Sequence, residues 1–117
     1  MTYVDGFVAA VPTSNKQEYI AHASKVAASF KRHGALKFVE TWGDDVPEGE
    51  VTSFPMAVKC EPDETVVFSW ITWPSKEIRD AGMASVMSEP GMKEEMEAMP
   101  FDAKRLIYGG FQVIVEA

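Results

Sequence analysis

One cysteine, Cys60, is present in 117 residues, which excludes an intrachain disulfide and a cysteine-rich zinc site. No apolar run approaches the roughly 18 residues that a membrane helix needs, so no membrane partner is expected. The N-terminus, Met-Thr-Tyr-Val-Asp-Gly-Phe-Val, carries neither a basic segment nor a signal-type apolar core. The expected location is therefore cytoplasmic. Basic residues are scarce: 11 Lys and Arg stand against 18 Asp and Glu, for a formal net charge of −7. Residues 40–64 alone hold Glu40, Asp44, Asp45, Glu48, Glu50, Glu61, Asp63 and Glu64 against a single base, Lys59. Such a surface repels phosphate backbones, which makes nucleic acid a poor partner. Lys16, Lys25, Lys31, Arg32 and Lys37 form the one basic cluster, and it reads as a solvated helix face. Metal-type spacings of His, Cys and carboxylates are missing, as is a glycine-rich phosphate loop, so neither metal nor cofactor is expected. His22 and His33 lie about three helical turns apart, too far to share an ion.

What is present fits one domain over residues 1–117, since a hydrophobic fraction of 46% is ordinary for a chain that buries a single core. Residues 3–11 alternate as a strand, with Tyr3, Asp5, Phe7 and Val11 on one face and Val4 and Val8 on the other. Pro12 ends it. Ser14 followed by Gln17 has the capping-box pattern, and Tyr19, Ala23, Val26, Ala27 and Phe30 then recur at helical spacing up to His33 and the stop at Gly34. A second strand over 35–43 places Leu36, Phe38, Glu40 and Trp42 on one face. The run 43–50 is turn-forming throughout. A short strand is expected over 52–60, at an edge or bulge because of Pro55. Glu61-Pro-Asp-Glu then reads as a hairpin turn into a long strand at 65–73. Ser75 caps a helix carried by Ile78, Ala81 and Val86, and Pro90 opens a short helix over 90–98. Gly109-Gly110 is expected to kink the chain into a last strand at 111–116.

Without the extra short strand, this order is the split βαβ arrangement of ferredoxin-like α+β domains, an antiparallel sheet with its helices on one face. The strand at 65–73 is apolar on both faces, Trp70 and Trp73 pointing opposite ways. Its uncovered side would expose several aromatics, each worth about 1.5–3 kcal/mol when buried. A homodimer with two sheets face to face is the expected solution.

Four tracts together resemble the DUF1428 family of small bacterial proteins. They are Tyr3-Val-Asp-Gly-Phe-Val, Val39-Glu-Thr-Trp-Gly-Asp-Asp-Val-Pro-Glu-Gly, Val67-Phe-Ser-Trp-Ile-Thr-Trp-Pro-Ser-Lys and Phe101-Asp-Ala-Lys-Arg-Leu-Ile-Tyr-Gly-Gly-Phe. The resemblance runs from Tyr3 to about Val115 and implies a dimeric α/β barrel of ferredoxin-like type, with no particular activity attached. Proteins of that architecture include cofactor-free monooxygenases and small-molecule-binding stress proteins, an analogy of fold alone.

Several residues are candidates for ligand contact. Trp42, Asp44 and Asp45 form a strand-end corner with an indole and two carboxylates, set against simple turn chemistry. Trp70 and Trp73 offer stacking surfaces as well as core packing. Asp102, Arg105 and Tyr108 stand together in the tract 101–110: Arg105 suits a carboxylate or phosphate, Tyr108 a hydrogen bond, and an Asp102–Arg105 ion pair is the structural alternative. Met83, Met87, Met92, Met96 and Met99 form either a pliable lid or core filling. The leading expectation is a pocket between sheet and helices that binds a small aromatic or carboxylated molecule. The alternatives are a cofactor-free monooxygenase or isomerase, and a protein-interaction module using the acidic 40–64 face.

Overall fold

Two ten-residue strands, β1 (Tyr3–Pro12) and β3 (Glu64–Trp73), form the centre of the sheet, paired antiparallel from Tyr3 opposite Trp73 to Pro12 opposite Glu64. This computed structural model describes residues 2–117. β2 (Lys37–Trp42) adds to β3 and β4 (Ile107–Gln112) adds to β1, for the order β2-β3-β1-β4. All pairings are antiparallel. Together with the helices this is the expected ferredoxin-like α+β fold.

The alternation of β1 and β3 decides which face is covered. Tyr3, Val11, Val67, Ile71 and Trp73 are buried beneath α1 (Lys16–Arg32) and α3 (Lys76–Ser88), joined by Tyr19, Val26, Phe30 and Val86. Trp73, 0% exposed, packs edge-on against Phe30 at 5.9 Å between ring centroids. α3 crosses the indole at Gly82, where a Cβ would meet the ring at 2.5 Å. Any larger residue there would lift the helix from the sheet. Ser75 caps α3 as its sequence position suggests, accepting from the Ile78 N–H. Gly34 takes φ +109 just after α1, the conformation that stops the helix.

Five expectations change. The capping box at Ser14 does not form: Thr13–Asn15 make a 3-10 turn without a side-chain cap, and the Asn15 amide donates instead to the Pro100 carbonyl. Residues 52–60 hold no strand. Ser53 caps a single helical turn, α2 (Phe54–Ala57), with Pro55 in its first turn, where a missing N–H costs nothing. Because no strand precedes it, Glu61-Pro-Asp-Glu joins helix to strand rather than making a hairpin. The last strand is 107–112 rather than 111–116. Gly109 and Gly110 lie inside it, opposite Gly6 and Asp5, and Gly110 has no side chain because the Tyr3 hydroxyl would lie 2.3 Å from its Cβ. The short helix α4 (Met92–Glu97) begins after Gly91 rather than on Pro90.

The outer face is partly roofed. Val58, following α2, packs on Val8, Ala10 and Val66, and Phe54 meets Phe68 at 5.8 Å. Phe68 is still exposed at its edge, as are Ile107 and Phe111, the last at 61%.

Candidate functional site

The register sets four side chains from four strands in one row on the helix-covered face: Glu40 (β2), Ser69 (β3), Phe7 (β1) and Tyr108 (β4). Above this row sheet and helices do not close. They enclose an open-sided cavity of about 460 Å³, within the range usual for small-molecule sites. The space exists because Ala9 on β1, Ala23 on α1 and Ser69 on β3 contribute small side chains where larger ones would meet. Phe30, Phe38 and Ile71 line its inner wall, Tyr19, His22 and Val26 of α1 one side, and Met83, Met87, Met96 and Met99 the roof.

The polar groups converge on Glu40. The Tyr19 hydroxyl donates to Glu40 Oε1 at 2.5 Å. Burial raises the Glu40 pKa above the usual carboxylate range; hydrogen bonds from Tyr19 and Ser69 and the nearby His22 offset this only in part. Burial first, then the Glu40 carboxylate, pushes the Tyr19 phenol far above its ordinary range. His22, 9% exposed, sits one turn beyond Tyr19, with Nδ1 2.7 Å from Glu95 Oε2 on α4. That contact, with Lys25 behind it, draws the Glu95 pKa down. Among the described residues no lysine or arginine lines this cavity. The arrangement thus offers an apolar slot with one poorly solvated carboxyl, two phenols, a hydroxyl and an imidazole. It can hold a flat molecule and exchange a proton with it.

The candidate residues named from sequence fall elsewhere, with one exception. Tyr108 lines the mouth, 76% exposed and stacked 6.5 Å from Phe7. Trp73 is core, its indole N–H donating to Asp5 at 2.9 Å. Trp70 points to the outer face beside Phe68. Trp42 packs against the cluster around Tyr19 and Val67 and carries the Lys16 ammonium 5.4 Å above its ring. Asp44 and Asp45 are exposed turn residues, Asp44 bordering a separate acidic groove with Glu48 and Glu61. Arg105 is spent: it donates to both oxygens of Glu64 at 2.7 and 2.6 Å, to the Lys59 carbonyl at 2.8 Å and to Asp102 at 3.1 Å. Asp102 also accepts from the Lys104 N–H, so this tract anchors the loop before β4.

The groups that meet in the cavity, Tyr19, His22, Glu40 and Ser69, were not singled out by motif. Their signal is positional. Glu40 sits between Phe38 and Trp42 on an inward strand face, and Ser69 between Val67 and Ile71, where apolar residues are the rule.

Comparison with other proteins agrees with this architecture. SnoaB, a cofactor-independent oxygenase from Streptomyces nogalater, superposes with a TM-score of 0.58 at 15% identity, over 98% of this chain and 93% of its own. Rv0793 from Mycobacterium tuberculosis gives 0.61 at 9% identity, over 100% and 99%. A dimeric ferredoxin-like protein from an uncultured marine organism gives 0.64 at 11% identity, over 99% and 98%. At these identities the likeness is one of fold. In sequence, the uncharacterized protein YbaA of Escherichia coli K12 is 59% identical over 116 residues, 99% of both chains. Residues 2–103 match the family described as a protein of unknown function, DUF1428. This chain belongs to the DUF1428 family.

Proposed function

We propose that this protein is a cytoplasmic binder of a small, uncharged, largely aromatic molecule, held between sheet and helices with a hydroxyl or N–H directed at Glu40. One observation carries the reading: the half-buried carboxyl of Glu40 faces a cavity whose lining is mainly apolar. A group so costly to desolvate is retained where a ligand uses it. A carboxylated ligand is disfavoured, because it would meet Glu40 with no cation to offset the repulsion. The adaptable methionine roof suits flat ligands of varied outline. The test uses the protein labelled with carbon-13 at its methionine methyls. 2-Naphthol should shift Met83, Met87, Met96 and Met99, and 2-naphthoate should not. Equal shifts from both compounds, or from neither, would defeat the reading. Ala23→Phe, which fills the slot, should abolish the response.

A second reading, a cofactor-free enzyme, is favoured by Glu40 facing the cavity with its pKa raised by burial, the direction that suits a carboxyl to proton transfer. The kinship of fold with a cofactor-independent oxygenase is consistent with it.

The partner we propose is a second copy of the chain. Phe68, Ile107 and Phe111 form an exposed apolar area beside Trp70 on the outer face, of the kind that a symmetric dimer buries. Light scattering should give twice the chain mass, and Phe68→Glu should halve it. A wild-type monomer at micromolar concentration would overturn this assignment.

A further inference from the structure

We propose that His22 and Glu40 act as an acid–base pair that relocates a proton within a neutral carbonyl compound, with Glu95 as the positioning residue for the imidazole. The inference rests on the cavity being a small-molecule site and names the chemistry done there.

Three observations carry it. Tyr19 and His22 are three residues apart on α1, so their side chains are neighbours on one helix face. Because the Tyr19 hydroxyl is bound to Glu40, this spacing brings the imidazole and the carboxyl to the same end of the cavity. His22 Nδ1 contacts the Glu95 carboxylate at 2.7 Å, and Lys25 Nζ lies 3.5 Å from the other Glu95 oxygen. A carboxylate acceptor places a ring hydrogen on Nδ1, and in the neutral ring the lone pair is then on Nε2. Nε2 has no protein partner among the described residues, while His22 lines the cavity. The site therefore holds one carboxyl without a cation, suited to carry a proton, and one imidazole nitrogen suited to take one.

The step balances without a redox partner. A ketone binds with its oxygen at the Glu40 carboxyl and its α-carbon at His22 Nε2. The α C–H bond breaks, its proton forms an N–H bond on Nε2, and the electron pair left behind forms the C=C bond. The former carbonyl oxygen takes the Glu40 proton and becomes the enol hydroxyl. Glu40 is left as carboxylate and His22 as imidazolium. The imidazolium then loses a proton to water at the Tyr108 mouth, and Glu40 regains one. The net change is keto to enol, and reversal in heavy water places deuterium on the α-carbon.

The test follows α-proton loss from 2-indanone in deuterium oxide by proton NMR, with methionine-methyl shifts reporting binding. Exchange should run at least tenfold faster than in buffer alone, and Glu40→Gln and His22→Phe should each return it to the buffer rate. Glu95→Ala should cost more than fivefold, and Glu95→Gln, which still accepts from Nδ1, should recover part of that loss. Long-range proton–nitrogen spectra should give the Nδ1–H tautomer in the wild type and in Glu95→Gln, and a tautomer mixture in Glu95→Ala. If 2-indanone shifts the methionines and exchange stays at the buffer rate, the acid–base pair is wrong and the binding site stands. If it shifts nothing while 2-naphthol does, the carbonyl chemistry is wrong and the binding site stands; if neither compound shifts them, both are wrong. Exchange that survives His22→Phe would also overturn the assignment.

Discussion

Two carboxyls point from the sheet into the same helix-covered layer, and the protein treats them in opposite ways. Asp5 is 3% exposed and fully answered: Arg79 donates to both its oxygens, at 2.8 to 3.2 Å, and the Trp73 indole donates at 2.9 Å. Its partners raise the Arg79 pKa further above an already high value, so the guanidinium stays charged. Glu40 receives only hydroxyl donors, faces a cavity, and has its own pKa raised. A carboxyl that a structure uses as a joint is neutralised within the structure. One left with a phenol and an open wall retains capacity for something from outside.

The largest expected effect comes from breaking the joint. Asp5→Ala leaves Arg79 without its main partner and the Trp73 N–H unmatched, and should cost about 3–5 kcal/mol in urea denaturation. The double variant with Arg79→Ala should lose clearly less than the two single losses combined, because each single change strands the other's charge. Additive losses would mean that the two side chains do not form one unit.

Arg105→Ala should give a smaller loss than Asp5→Ala, since Arg105 holds a loop near the surface through Glu64 and Asp102. Its more telling readout is ligand response. The 2-naphthol shifts should be unchanged, because this guanidinium does not line the cavity. Weaker ligand shifts in a folded variant would restore Arg105 as a clamp and undercut the contrast with Glu40.

Glu40→Gln should have the reverse sign. A carboxyl whose pKa is higher in the folded than in the unfolded chain costs stability once pH rises above its unfolded value, near 4.3, and the cost is complete above its folded value. Below both values the group is neutral in either state and contributes nothing. The variant should therefore be more stable than wild type at pH 8, and equal to it near pH 3.5. Paired urea titrations at the two pH values check this. A variant less stable than wild type at pH 8 would place Glu40 with Asp5 as a structural group.

This contrast was only half legible in the sequence. The alternation of 3–11 and 65–73, the stripe through Tyr19, Val26 and Phe30, and the Ser75 cap are local patterns, and local patterns specify the central strands and the two long helices. Residues 52–60 misled because Pro55 is as compatible with a first helical turn as with an edge strand, and only the capping bond from Ser53 separates the two. Gly109-Gly110 misled because a glycine pair marks either a bend or a close crossing, and the Tyr3 hydroxyl that makes it a crossing is more than a hundred residues away. Arg105 looked available since its chief partner, Glu64, lies on β3, far away in sequence. The cavity left no motif at all. It is space left by Ala9, Ala23 and Ser69, three small residues from three elements, and only the tertiary register brings them together.

The smallest expected effect is at the corner that sequence made most prominent. Asp44 and Asp45 follow β2 by only a few residues and sit two and three positions beyond Trp42, so a cation or polar ligand there was a reasonable expectation. In the fold they leave the sheet just where Glu40 stays in it. Gly43 makes the departure possible, because a Cβ at that position would lie 2.8 Å from the Val66 carbonyl. The chain thus turns outward at once, and both carboxylates end exposed with no side-chain hydrogen bond among the described residues. Surface carboxylates without partners contribute little, so Asp44→Ala and Asp45→Ala should each change stability by no more than about 0.5 kcal/mol. They should leave the 2-naphthol response and the 2-indanone exchange rate at wild-type values. A loss of either readout in Asp44→Ala would mean that the acidic groove bordered by Glu48 and Glu61 communicates with the cavity, and that Glu40 does not act alone among the carboxyls of this tract.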